Sequence, residues 1–175
     1  MTPSPTVHAT CVAVGAAGVL IRGAPGAGKS SLALALTDAA LRDGSHAALV
    51  ADDRVRLAAV GGRLLATCPD ALAGLIEIHG AGVREAPYLP NVIVRLLVNM
   101  EPFPARMPDD GASFDTVEGV RLPRLAVAER SPLAPALVRQ TLAENGHASD
   151  CGASALAFAP QHGKVRSPAR FAPWF

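Results

Sequence analysis

Residues Gly23-Ala24-Pro25-Gly26-Ala27-Gly28-Lys29-Ser30 fit the pattern G-x-x-x-x-G-K-S, and what stands on either side of them decides the fold. Val19 to Arg22 reads as a short apolar strand. Lys29 to Leu41 carries Leu32, Leu34, Ala35, Leu36, Ala39 and Ala40 on a helix without internal Gly or Pro, and Gly44 stops it. A glycine-rich loop between a strand and a helix is the setting in which this pattern holds phosphate. The glycines let backbone N–H groups turn inward, the helix N-terminus adds its positive dipole, the lysine neutralises β and γ oxygens, and the serine ligates magnesium. A glycine-rich connection matching by chance is the alternative, and the flanking strand and helix weigh against it. ATP with magnesium is the expected ligand, bound along Gly23, Ala24, Pro25, Gly26, Ala27, Gly28, Lys29 and Ser30.

The next strand outward, Ala47 to Ala51, leads into Asp52 and Asp53. A phosphate loop needs an acid at the end of a neighbouring strand to hold the metal or its waters. Adjacent carboxylates at a strand end point different ways, so one can face the metal while the other accepts a proton from an attacking hydroxyl. An exposed turn with two solubilising aspartates is the competing reading.

Val7 to Val14 reads as the first strand of a hairpin with Val19 to Arg22, turned by Gly15 to Gly18, and Val55–Val60 with Arg63–Ala66 as a second hairpin across Gly61-Gly62. Leu75 to Ile78 and Val92 to Val98 are further strands. Asp115 to Val127 holds two short extended segments broken by Gly119 and Pro123, and Pro135 to Glu144 is a helix stopped by Gly146. Residues 1–146 therefore read as one domain, and 147–175, rich in Ala and Pro, as a loosely packed or disordered tail.

Half of the 175 residues are hydrophobic and only 4% are aromatic, so the core must be built from Ala, Val and Leu, which suits helices packed on a sheet. With 16 basic against 15 acidic residues and no basic run, nucleic acid is excluded as the main partner. Cys11, Cys68 and Cys151 are too far apart for a metal clip or a disulfide framework, and a reduced, cytoplasmic setting is expected. No apolar run reaches the roughly 20 residues that span a bilayer, so no membrane insertion is expected.

Val50-Ala51-Asp52-Asp53-Arg54-Val55 closely resembles the V-A-D-D-x-V segment of the bacterial HPr kinase/phosphorylase family. Leu75-Ile76-Glu77-Ile78-His79-Gly80-Ala81-Gly82-Val83 is similar to that family's L-x-E-I-R-G-x-G-I segment, and Gly119 to Leu125 to a later strand. His8 stands before the first strand where the family has a histidine. The resemblance runs from about Val7 to Glu144 and implies an α/β P-loop domain with a mixed sheet, of the HPr kinase C-terminal, phosphoenolpyruvate carboxykinase-like type. It implies that Asp53 is the general base for a serine of the carrier protein HPr, that Asp52 lies near the metal, and that Ser30 and Glu77 bind magnesium. Lys29 would stabilise the transferred group, His8 would hydrogen-bond the aspartates, and Arg106 stands where the family has a catalytic arginine. On pattern alone, Glu77 could be the solvent side of an ordinary strand, His8 a surface residue and Arg106 a plain loop arginine.

The family's long form carries an N-terminal domain, and here only Met1 to Thr6 precede the first strand, so a kinase-domain-only form is implied. Pro25 stands where a serine is usual and His79 replaces an arginine, which counts against the reverse phosphorolysis. The reading is an ATP-dependent serine kinase acting on HPr, with a homo-oligomer, a hexamer in the family, implied by the resemblance. A P-loop kinase of a small molecule and a non-catalytic nucleotide-sensing module are the alternatives.

Overall fold

Burial on both sides identifies the organising strand. Asn91–Glu101, labelled β9, has Leu96, Leu97 and Val98 fully buried in succession, as only the centre of a two-faced sheet allows. The computed structural model describes residues 5–107 and 113–146. Before β9 come β1 (Thr6–Val7), β2 (Thr10–Val14), β3 (Ala17–Arg22), α1 (Lys29–Arg42), β4 (Ala47–Ala51), β5 (Val55–Val60), β6 (Arg63–Thr67), β7 (Leu75–Ile78) and β8 (Gly82–Glu85). After it come β10 (Phe114–Val117), β11 (Val120–Ala128) and α2 (Ala134–Glu144).

The main sheet is mixed and follows the path β1-β5-β6-β9-β3-β2-β4, with β11 also pairing β9 and β10 pairing β11. β9 runs parallel to both β3 and β11. β2 lies antiparallel between β3 and β4, so β4 points the same way as β3. The C-terminal ends of β3, β4, β9 and β11 therefore share one edge, the usual ligand edge of an open α/β sheet.

Two cores sit on the two faces. Leu32, Leu36 and Ala40 of α1 and Val138 and Leu142 of α2 pack on Val19, Ile21, Val98 and Val127. On the other face Val55, Leu64 and Ala66 of the β5–β6 hairpin cover Cys11, Leu20, Val50 and Leu97. Each such fully buried Leu or Val contributes about 1.5–3 kcal/mol. An irregularity in β9 serves both cores. Gly18 pairs with Val94 but Val19 with Leu96, leaving Arg95 as an extra residue. Val92 and Val94 accordingly face the hairpin core, whereas Leu96 and Val98 face the helices.

The α/β fold with a mixed sheet and both helices is as expected. Three local expectations change. Residues 7–14 are not one strand: β1 pairs with β5 (Val7 with Val55), β2 pairs with β3, and His8 lies in the break. Pro123 does not break the chain, because β11 runs through it. There the antiparallel pairing with β10 ends, and the parallel pairing with β9 starts only at Arg124, so the missing N–H falls between two ladders. Gly82–Glu85, to which the sequence reading assigned no element, forms a hairpin with β7. The tail expected over 147–175 lies outside the described residues.

Candidate active site

The turn from β3 into α1 fixes the loop Gly23 to Ser30. Gly26 (φ 80°) and Gly28 (φ 101°) adopt the left-handed conformation that glycine takes without a Cβ clash. At Gly23 a Cβ would come within 3.0 Å of Met100 Cβ, so the loop leaves β3 pressed against β9. Gly28 caps α1 with no side-chain partner, which leaves first-turn amides directed at the cleft. Lys29 is buried (7% exposed), and its Nζ donates to the carbonyls of Gly23 (3.2 Å) and Ala24 (3.1 Å).

Asp52 follows β4 and is buried, at 6% exposure. Its carboxylate accepts hydrogen bonds from Thr10 Oγ1 (2.6 Å), Ser30 Oγ (3.0 and 3.1 Å) and the backbone N–H of Glu77 (3.0 Å). These donors come from β2, α1 and β7, so one carboxylate ties three elements together. With its proton committed to Asp52, the Ser30 hydroxyl keeps its lone pairs for a cation.

Asp53 turns the other way. It sits at φ 64°, a conformation that Asp tolerates better than most residues, and the N–H of Arg54 closes the turn onto the carbonyl of Asp52 at 2.7 Å. The Asp53 side chain is exposed, and its Oδ1 is 3.0 Å from His8 Nε2. The break between β1 and β2 is what lets His8 reach this turn, because β1 is held on β5 just beyond Asp53.

A cleft of about 810 Å³ joins these groups, lined by Pro25, Lys29, Ser30, Asp52, Asp53 and Glu77 and also by His8, His79 and Arg130. Among the described residues no cluster of three His, Cys, Asp or Glu side chains could hold a metal alone. Ser30, Asp52 and Glu77 nevertheless suit magnesium, which is usually bound through one or two carboxylates with nucleotide phosphates and water completing its shell.

The family model of the HPr serine kinase C-terminal domain matches residues 1–88, half of the chain and the half that holds the loop, both aspartates and Glu77. The chain belongs to this family. The HPr kinase/phosphorylase of Limosilactobacillus reuteri (strain DSM 20016) is 31% identical over 165 residues, which is 87% of this chain and 49% of the relative. That of Xylella fastidiosa (strain M12) is 33% identical over 108 residues, 57% of this chain and 32% of the relative. The chain thus spans about half the length of the first of these curated relatives and less of the second. The solved structure of the HPr(Ser) kinase/phosphatase from Coxiella burnetii superposes with a TM-score of 0.65 at 27% identity, over 83% of this chain and 98% of that one.

Of the residues expected at the site, His8, Pro25, Gly26, Gly28, Lys29, Ser30, Asp52, Asp53 and Glu77 line one cleft, together with His79, whereas Gly23, Ala24 and Ala27 belong to the loop without lining it. Arg106 is exposed after β9 and is not among the cleft-lining residues. The arginine at the cleft is Arg130, which follows β11, and the sequence reading missed it. No local signal marks it, because its place on the ligand edge follows from β11 lying parallel to β9 and β9 parallel to β3.

Proposed function

We propose that the chain is an ATP-dependent protein-serine kinase that transfers the γ-phosphoryl group to a serine of HPr. One observation carries the reading: an exposed Asp53 bonded to His8 stands in the same cleft as a phosphate loop whose Ser30 is hydrogen-bonded to the buried Asp52. The two aspartates divide the work. Asp52 is enclosed by donors and fixes Ser30 and Glu77, the groups that would hold magnesium. The metal, when bound, neutralises phosphate charge. Asp53 has a free face and receives the proton of the serine hydroxyl while the serine oxygen bonds to the γ-phosphorus and the bond to the ADP oxygen breaks. His8 holds the Asp53 carboxylate towards the cleft. Lys29 exchanges its two carbonyl partners for phosphate oxygens, a stronger pairing because both sides are charged.

The names of the relatives support HPr as the acceptor. Pro25 and His79 both line the cleft, so the departures from the family pattern fall at the site itself. This favours the forward direction, since neither supplies what the usual serine or arginine would offer inorganic phosphate. Residues 1–146 as a single kinase domain, a cytoplasmic setting and assembly into a homo-oligomer belong to the same proposal. Light scattering on the purified chain gives the assembly mass.

The test incubates the chain with magnesium, labelled ATP and HPr and locates the label by mass spectrometry. Phosphoserine on HPr is expected, and Asp53→Asn should bind ATP like the parent yet transfer no label. An unlabelled HPr with the parent chain overturns the substrate assignment.

A further inference from the structure

We propose that Arg130 is a positioning residue for the nucleotide: it clamps the phosphate loop in its cradle shape from the end of β11. The inference rests on the nucleotide reading of the cleft and adds to it a residue outside the loop, the aspartates and the half of the chain matched by the family model.

Three hydrogen bonds carry it. Arg130 Nε and Nη2 both donate to the carbonyl of Gly26, at 3.1 and 2.9 Å, and its backbone N–H donates to the carbonyl of Ala27 at 3.1 Å. The stem of the side chain also lies against Gly28, where a Cβ would stand 3.4 Å from Arg130 Cγ. Gly26, Ala27 and Gly28 form the bend of the loop, where the backbone must stay turned for its amides to converge on a phosphate. With both Gly26 and Gly28 in left-handed conformation, this segment has more backbone freedom to lose than one without glycine when a ligand binds. Holding it beforehand lowers the ordering cost of binding.

The backbone of Arg130 supports a functional reading. Arg130 has φ 54°, a region that costs an arginine energy and that glycine or asparagine occupies readily. Local stability therefore favours a different residue at this position. The turn is itself anchored, because Glu129 N–H donates to the carbonyl of Glu101 (3.0 Å) and Ser131 N–H to that of Ala128 (3.2 Å). A strained arginine on an anchored turn, forked onto a carbonyl of the phosphate loop, is explained by what its guanidinium does there. The fork engages the carbonyl with Nε and one Nη2 hydrogen, so the donors of Nη1 are not used by it.

Arg130→Gly separates backbone from side chain, because glycine keeps the N–H bonded to Ala27 and relieves the left-handed strain while removing the guanidinium and the stem that lies against Gly28. Isothermal titration with ATP and magnesium, beside thermal melts without nucleotide, reads both. The variant should melt at or above the parent temperature yet bind ATP about tenfold more weakly, the size of one charge-assisted hydrogen bond. Arg130→Lys should recover part of the affinity, since one ammonium can reach Gly26 but cannot fork. Equal affinities in the parent and Arg130→Gly overturn the inference and leave the nucleotide reading intact. A parent chain that binds no ATP, alone or with magnesium, overturns both.

Discussion

Replacing Asp52 by Ala and by Asn separates its two duties. Alanine removes the acceptor for Thr10 Oγ1 and for the Glu77 N–H, the first of them fully buried, while Ser30 can turn to water in the cleft. A buried donor left without a partner costs about 1–3 kcal/mol. Two donors with water reaching one side give about 2–4 kcal/mol, or about 5–15 °C in melting temperature for a domain of this size. Asparagine has another route. Its oxygen can accept from Glu77 while its amide donates to Thr10 and Ser30, whose hydroxyls reverse and accept. The bonds persist without the charge, at a cost of about 1 kcal/mol or about 2–4 °C. That reversal frees the Ser30 proton and turns it towards the cation position. Asp52→Asn should therefore stay folded and lose the increment that magnesium adds to ATP affinity. Thermal melts by circular dichroism and ATP titrations with and without magnesium read the two effects. If Asp52→Ala melts with the parent, or if Asp52→Asn keeps the full magnesium increment, the central place given to this carboxylate is refuted.

Lys29→Ala should weaken ATP binding by about tenfold to a hundredfold, the range for hydrogen bonds made by a charged group, as measured by titration calorimetry. Gly18→Ala places a Cβ 2.7 Å from both the Ile93 carbonyl oxygen and Val92 Cγ1 at the β9 irregularity; urea unfolding should show a loss of about 1–3 kcal/mol. The Arg22 hydrogen bond holds the Asp115 carboxyl below its ordinary 3.8, so this pair adds stability above that pH and loses it as pH falls through the lowered value. Both side chains are about a third exposed, which keeps the contribution under about 1 kcal/mol. Asp115→Asn should thus be slightly less stable than the parent at neutral pH, and the gap should close in acid, as followed by urea unfolding across pH.

The strand–loop–helix unit was legible because periodicity, glycine placement and the G-K-S ending all pointed the same way over residues 19–41. The same held for Ala47 to Asp53, where an apolar strand ends in carboxylates. Contacts between distant segments were not legible. Nothing local says that the chain should break at His8, since Val7 to Val14 is continuously compatible with a strand; the break comes from β1 pairing with β5 instead of following β2. Pro123 is a breaker by its own chemistry, and only the change of partner strand around it makes it harmless. Arg130 escaped notice for the same reason, because its place depends on β11 lying parallel to β9. Cys11 shows the reverse case: it is free and buried in β2, as expected of a cysteine too far in sequence from the others for a metal clip or a disulfide framework, and burial pushes its thiol far up.

The most direct measurement is a crystal structure of the chain with magnesium and a non-hydrolysable ATP analogue. The triphosphate should lie along Gly23 to Ser30 with Lys29 on its outer oxygens, the metal at Ser30, and the terminal phosphate turned towards the open face of Asp53. A nucleotide bound elsewhere, or one whose terminal phosphate faces away from Asp53, contradicts the proposed chemistry.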